Sequence, residues 1–312
     1  MVESGDPYPI HAAIIFRLNP MKSSGQSSRW EAALKKLDLL VAVDTQWSET
    51  ARLAHYVLPE SHYLERDETI SVVGDTVSIR QPVVPRVYPE TKAGWEIIKG
   101  LAEACGIGQY FDFTMDDYNN RLLAPTGWTV QQLKEQGVIK VGATPPNYGK
   151  FGTPSGKIQL IQPQWQEAGG SLVVEWVPPK TQPEGNKLRF LHGHSPVHTN
   201  GYTQNNPQLF ALMPENDLWI HTKTAAARGI KDGDLVEVSN EFGTGRIRAK
   251  VTDAIREDSV WMCHGFGTKS PEQRLAYGKG CNDSEFYPIM VTPIAAALGQ
   301  GDAVVTVRKV GG

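Results

Sequence analysis

The chain has 312 residues, about twice a typical domain of ~150, which predicts two domains. An apolar fraction of 40% is too high for a disordered chain, and a net charge of −3 excludes the basic footprint of a nucleic-acid binder. No apolar run approaches the ~18 residues of a membrane-spanning helix, and the start, MVESGDPYPIH, lacks the basic-then-apolar pattern of a secretory signal.

In chain order, Ala12 to Phe16 is a short apolar run suited to a buried strand of a parallel sheet. Arg17-Leu18-Asn19-Pro20 and a small polar stretch, Ser23 to Ser28, follow it. Trp30, Ala33, Leu34 and Leu37 then recur at helical spacing, and Leu39 to Val43 is a second apolar run ending in Asp44. Strand, loop, helix and strand make a parallel β-α-β unit. Ser48 is placed to cap a short helix through Leu53, and Tyr56-Val57-Leu58 reads as a strand stopped by Pro59. ISVVGDTVSIR predicts a hairpin turning at Gly74-Asp75. Gly94 to Cys105 predicts a helix with Trp95, Ile98, Leu101 and Ala102 on one face and Gly106 as its stop. Thr129 caps another helix that Gly137 ends, and Pro145 to Pro154 reads as a loop. Three prolines and a glycine between Pro178 and Gly185 mark a linker.

Beyond the linker the chain reads as mostly β. Leu218 to Ile220, Leu235 to Ser239, Arg246 to Val251, Val260 to Met262 and Ala303 to Val307 are predicted strands. A short helix capped by Thr222 lies among them. Many short strands and few helices predict a barrel. The domains expected are an α/β segment over 1–178 and a β-barrel over 187–312.

Three groups of residues could carry chemistry. The loop after Asn19-Pro20, with Ser24, would expose backbone N–H groups at a helix start, which favours a phosphate. Asp44, about 24 positions on, stands where dinucleotide folds read the nucleoside. It could accept from a ribose hydroxyl or from the N–H groups of guanine; an ordinary turn with a solvated aspartate is the bland alternative. The GxGxxG fingerprint is absent, which disfavours a nicotinamide dehydrogenase. The second group is the polar segment 191–207, holding His192, His194, His198, Thr199 and Asn200. H-x-H-x3-H spacing could converge on zinc or copper, but the segment has no carboxylate or cysteine to complete the set. A loop clamping a heteroaromatic ligand, or a solvated loop, fits as well. The third is the glycine-rich stretch 262–288 with Cys263, His264, Lys269 and Asn282. Cys263 and His264 are adjacent on a strand and point to opposite faces, so they do not form a catalytic pair. The three cysteines, Cys105, Cys263 and Cys281, form no CxxC and cannot make a four-cysteine zinc or iron–sulfur site.

Taken together, RLNP (Arg17 to Pro20), the stretch Val43 to Arg66, TPSGKIQL (Thr153 to Leu160) and the block from Leu188 to Val310 resemble the C-terminal portion of a molybdopterin-dependent oxidoreductase of the dimethyl-sulfoxide-reductase superfamily. LRFLHGHSPVHTN and RQPVVP (Arg80 to Pro85) are most similar to its thiosulfate and polysulfide reductase branch. The resemblance implies a partial Rossmann-like dinucleotide-binding domain followed by a double-psi β-barrel. It implies a bis-molybdopterin guanine dinucleotide carrying molybdenum or tungsten. Asn19, Pro20 and Ser24 would lie near its phosphates, and Asp44 would read guanine, with Thr45 and Glu49 shaping that pocket. His194, His198, Thr199, Asn200, His264 and Asn282 would face the pterin, and Lys269 would meet phosphate. It also implies that an iron–sulfur motif and a metal ligand reside on an N-terminal half not in this sequence. An iron–sulfur electron-transfer subunit and a membrane anchor would be partners, and the complex would work outside the cytoplasmic membrane. Glu68 and Val72 depart from the small glycine and the asparagine that many relatives carry near those positions. Other substrates within the superfamily, such as formate or an arsenic oxyanion, and a binding module without turnover are the alternatives.

Overall fold

The structure, a computed structural model, describes residues 1–142, 149–173, 175–176, 178–289 and 300–311. Strands β1 (Ala12–Phe16), β2 (Leu39–Asp44) and β3 (Tyr56–Pro59) form a parallel sheet in the order β1-β2-β3. Leu40 and Val43 of β2 have no exposed surface, as expected of a central strand covered on both faces. Between β1 and β2 the polar stretch forms two short helices, α1 (Pro20–Ser23) and α2 (Ser27–Leu34). Helix α3 (Glu49–Leu53) follows β2, and Ser48 Oγ caps it by accepting from the Ala51 N–H.

The next stretch builds a small sheet from β4 (Ser71–Val73), β5 (Thr76–Ser78) and β6 (Val138–Lys140), all antiparallel. Between β5 and β6 lie α4 (Gly94–Ala104), α5 (Met115–Leu123) and α6 (Val130–Gln136). Helix α4 buries Gly94, Ile97 and Ala102, whereas Ile98 is exposed, so its inward face is turned one residue from the one expected. Thr129 caps α6 as expected, and Gly137 ends it with a φ of 74°. Helix α7 (Pro163–Glu167) completes this stretch. Residues 145–148 of the expected loop lie outside the described residues.

Strands β7 (Leu188–Gly193), β8 (Leu218–Ile220), β9 (Leu235–Ser239), β10 (Thr244–Val251), β11 (Ser259–Cys263) and β12 (Val304–Lys309) close into a barrel in the order β10-β8-β11-β7-β12-β9. The pairs β10/β8 and β11/β7 are parallel and the other four antiparallel. Alternation on β10 holds: Ile247 and Ala249 are buried while Arg246 and Arg248 face water. Helix α8 (Pro207–Leu212) is capped by Asn206. Helix α9 (Thr222–Ala227) is capped by His221 rather than by Thr222, whose hydroxyl donates to Asp253 instead.

Packing divides the chain into residues 1–60 with 179–312, and residues 61–178. This differs from the linear pair, 1–178 and 187–312, expected from composition. The reason lies in contacts between segments remote in sequence. Asn282 donates to the Met21 carbonyl at 3.1 Å, and Ser284 Oγ to the Lys22 carbonyl at 2.5 Å. These bonds fix α1 against the segment that follows β11.

Candidate functional site

A cavity of about 400 Å³ opens within the unit formed by 1–60 and 179–312. Asn19, Lys22, Ser23 and Asp44 line one wall; His192, His194, Asn200, Tyr202, His264 and Tyr287 line the other. In the first group Asp44 ends β2, while Asn19, Lys22 and Ser23 belong to the segment after β1, Asn19 preceding α1 and the other two on it, at the end of the sheet where ligands bind. The second comes from β7, from the loop after it, and from the segment after β11. The parallel pairing of β7 with β11 opens both strands at the same end, with Gly193 beside Cys263.

Asp44 is 7% exposed, and its carboxylate is held by three donors. Oδ1 accepts from Thr45 N–H at 2.7 Å and from Gln46 N–H at 3.4 Å, and Oδ2 from Ser48 Oγ at 2.9 Å. Burial nonetheless pushes its pKa above the ordinary aspartate value, the hydrogen bonds offsetting only part of the desolvation. Asp44 and Gln46 also line a neighbouring cavity of about 510 Å³ walled by Thr45, Trp47, Arg52, His55 and Tyr56. A ligand running between the two cavities would pass this carboxylate.

At the other end, Asp283 has no exposed surface and anchors the histidines. Its carboxylate accepts from His264 Nδ1 at 2.9 Å and from Gly265 N–H at 3.3 Å. Since a carboxylate only accepts, Nδ1 of His264 carries the proton, and Nε2 is the nitrogen left over. His192 stacks on Tyr287 with ring centroids 4.8 Å apart. Its Nδ1 is buried with no hydrogen-bond partner among the described residues, 3.6 Å from Asp283. Burial holds its pKa below the usual histidine value, against the opposing pull of Asp283. His194 is exposed, with its ring 5.6 Å from that of His264.

The expected site residues divide into those on the cavity and those behind it. Asn19, Asp44, His194, Asn200 and His264 line it, and Thr45 lines the neighbouring cavity. Glu49 stands behind: its carboxylate accepts from Asn19 Nδ2 at 2.6 Å and from Lys269 N–H at 2.7 Å. With Thr50 Oγ1 donating to Asn19 Oδ1 at 2.8 Å, both ends of the Asn19 amide are engaged within the protein. His198 is turned inward, Nε2 at 2.8 Å from the Met213 carbonyl and Nδ1 at 3.2 Å from Thr203 Oγ1, its ring edge-on to Phe266. Thr199 donates its N–H to Thr203 Oγ1 at 2.9 Å. Pro20 is buried as the first residue of α1, and Ser24 closes that helix. Asn282 pins α1, and the Lys269 ammonium is paired with Glu285 at 2.9 Å.

The H-x-H-x3-H histidines therefore do not converge, because His198 spends both nitrogens elsewhere. The ligand atoms that lie within 4.8 Å of one another belong to His192, His264 and Asp283. Their hydrogen-bond pattern is that of an oriented imidazole. Lys22, Asp283, Gln273 and Tyr287 escaped the sequence reading. Nothing in periodicity marks a buried lysine or aspartate on so short a helical turn; only the third dimension does.

Residues 1–104 match the family model described as molybdopterin oxidoreductase, and residues 188–298 the molydopterin dinucleotide binding domain. The chain is 32% identical to the thiosulfate reductase molybdopterin-containing subunit PhsA of Salmonella typhimurium, over 94% of this chain and 42% of that one. It is 31% identical to the assimilatory nitrate reductase catalytic subunit of Bacillus subtilis, over 84% of this chain and 38% of that one. The chain thus spans less than half the length of these curated relatives. Acetylene hydratase from Pelobacter acetylenicus shares the fold, with a TM-score of 0.85 and 22% identity over 99% of this chain and 45% of that one.

Proposed function

The chain belongs to the molybdopterin oxidoreductase family, and on that premise we propose that it is the cofactor-holding C-terminal part of an enzyme reducing thiosulfate or polysulfide. The family's cofactor class is the bis-molybdopterin guanine dinucleotide. The observation that carries the reading is one cavity bounded by the Asp44 carboxylate and by three histidines.

The residues present fit such a group. Among the described residues, the buried Lys22 ammonium has a single hydrogen-bond partner, Thr268 Oγ1, and His192 keeps a buried ring nitrogen without one. Gly201 keeps the wall open where a Cβ would meet the Lys22 stem at 3.3 Å. When bound, the cofactor supplies the metal and sulfur ligands at which electrons are exchanged.

The chain's own part is to bind and orient. Asp44, already fixed by three donors, offers its remaining lone-pair site to a guanine N–H group, and Thr45 and Glu49 shape the surroundings. His194, Asn200 and His264 face the pterin, with His264 held in one tautomer by Asp283. His198, Thr199 and Asn282 support that wall from behind. The iron–sulfur cluster and the protein ligand to the metal belong to an N-terminal half. An iron–sulfur subunit and a membrane anchor complete an assembly outside the cytoplasmic membrane. Among the described residues, no helix is long and apolar enough to cross a membrane.

The test is a titration of the chain with GDP and with ADP. Preference for GDP is expected; equal affinity for both would remove the guanine reading.

A further inference from the structure

Lys22 lies on α1 in the cavity wall and is 4% exposed. It is the only lysine or arginine among the described residues that line the cavity. Its ammonium donates to Thr268 Oγ1, and no carboxylate of the described residues forms an ion pair with it. One of its three donors is thus satisfied by a neutral hydroxyl. The carboxylates nearest in electrostatic effect, Glu49 and Asp283, are committed elsewhere: Glu49 to Asn19 and Lys269, Asp283 to His264 and Gly265. Burial disfavours the charged ammonium, and a buried charge calls for a compensating partner.

The side chain is not loosely placed. The Lys22 carbonyl accepts from Ser284 Oγ at 2.5 Å, and its aliphatic stem lies over Gly201. Of the residues expected to lie near or meet phosphate, Asn19 and Lys269 are engaged within the protein. The Asn19 amide is bonded at both ends, and the Lys269 ammonium is paired with Glu285. A cation with spare donors, facing a cavity that also holds a guanine-type carboxylate acceptor, needs an anion from the ligand.

We propose that Lys22 is the seat of a phosphate oxygen of the bound nucleotide, its two unused N–H donors taking the diphosphate. This rests on the nucleotide reading above and adds the residue that neutralises the diphosphate.

The experiment uses the full chain in four forms: wild type, Lys22→Met, Lys22→Arg and Asp44→Ala. Calorimetry with GDP and with guanosine is combined with thermal melting in inorganic pyrophosphate. Lys22→Met should weaken GDP by about ten- to a hundredfold, the range for a hydrogen bond to a charged group, and leave guanosine unchanged. Lys22→Arg should retain most of the GDP affinity, and Asp44→Ala should weaken both ligands. Pyrophosphate should raise the melting temperature of wild type, less so at high salt, and leave Lys22→Met unmoved. Ligand-free Lys22→Met should melt no lower than wild type, because an uncompensated buried charge has been removed.

A drop in the ligand-free melting temperature with GDP affinity intact would make Lys22 a mere tether for Thr268 and overturn the proposal. So would no response of wild type to pyrophosphate, or a Lys22-dependent response to thiosulfate alone. A Lys22-dependent pyrophosphate response without guanosine binding would keep the anion seat and remove the guanine reading.

Discussion

Asp44 shows how one residue can pull stability and binding in opposite directions. Its burial raises its pKa in the folded chain above that in the unfolded chain. Between those two values the folded chain holds the extra proton, so this residue's contribution to stability falls as pH rises through the window. Binding runs the other way, because accepting from guanine requires the carboxylate. The acid limb of GDP binding is therefore expected above the ordinary aspartate value of about 3.9. Asp44→Ala should cost ~1.5–3 kcal/mol of GDP affinity and abolish that limb. Calorimetric titrations across the acid range check both outcomes. The cysteines give a second test at this scale. Burial pushes the Cys263 thiol up to about 11 and Cys281 up to about 12, whereas Cys105 is exposed. At pH 8 the folded chain should take a single iodoacetamide adduct, at Cys105, as read by peptide mass spectrometry. Rapid labelling of Cys263 would show that the barrel end is open.

Two glycines separate close packing from helix propensity at the level of elements. Gly25, in the turn between α1 and α2, has no room for a side chain: a Cβ there would lie 2.3 Å from the Tyr287 carbonyl oxygen and 2.6 Å from its ring. Gly25→Ala should destabilise the chain by ~1–3 kcal/mol, since the wall cannot yield without moving Tyr287 from His192. Gly100 is an exposed position inside α4 with nothing within 4 Å of its Cβ site. Gly100→Ala should stabilise by ~0.5–1 kcal/mol through backbone entropy alone. Urea unfolding of the two variants beside wild type decides the matter. Equal effects of the same sign would contradict the packing of α1 and α2 on the segment after β11.

At the scale of the whole molecule, the chain spans less than half the length of the curated relatives it matches, and the proposed function assigns turnover to the complete enzyme. Cys105, Cys263 and Cys281 stand in three separate segments, and no four-cysteine cluster motif can be assembled from them. The isolated chain is expected to show no thiosulfate or polysulfide reduction with a reduced viologen dye, and activity should appear only when an iron–sulfur-bearing half is supplied. Turnover by the chain alone would refute the division of labour proposed here.

Much of this was legible in the sequence because the signals were local. The apolar runs 12–16 and 39–43, Ser48 ahead of α3 and Gly137 after α6 depend on propensity, capping and period, which neighbours in sequence settle. So do the alternation along β10 and the RLNP and histidine-loop motifs that carry the family resemblance. What tertiary structure alone decided was where side chains of remote segments point. It turned His198 inward, closed the Asn19 amide against Glu49 and Thr50, and paired Lys269 with Glu285. It also put Lys22 and Asp283 into the site. The placement of Lys22 depends on contacts spanning more than two hundred residues, such as Ser284 on its carbonyl, and all of these outcomes depend on which donors find acceptors once water is excluded. No short-range pattern encodes that accounting, since each buried polar group is satisfied by whichever partner the closed barrel and the first sheet bring within reach.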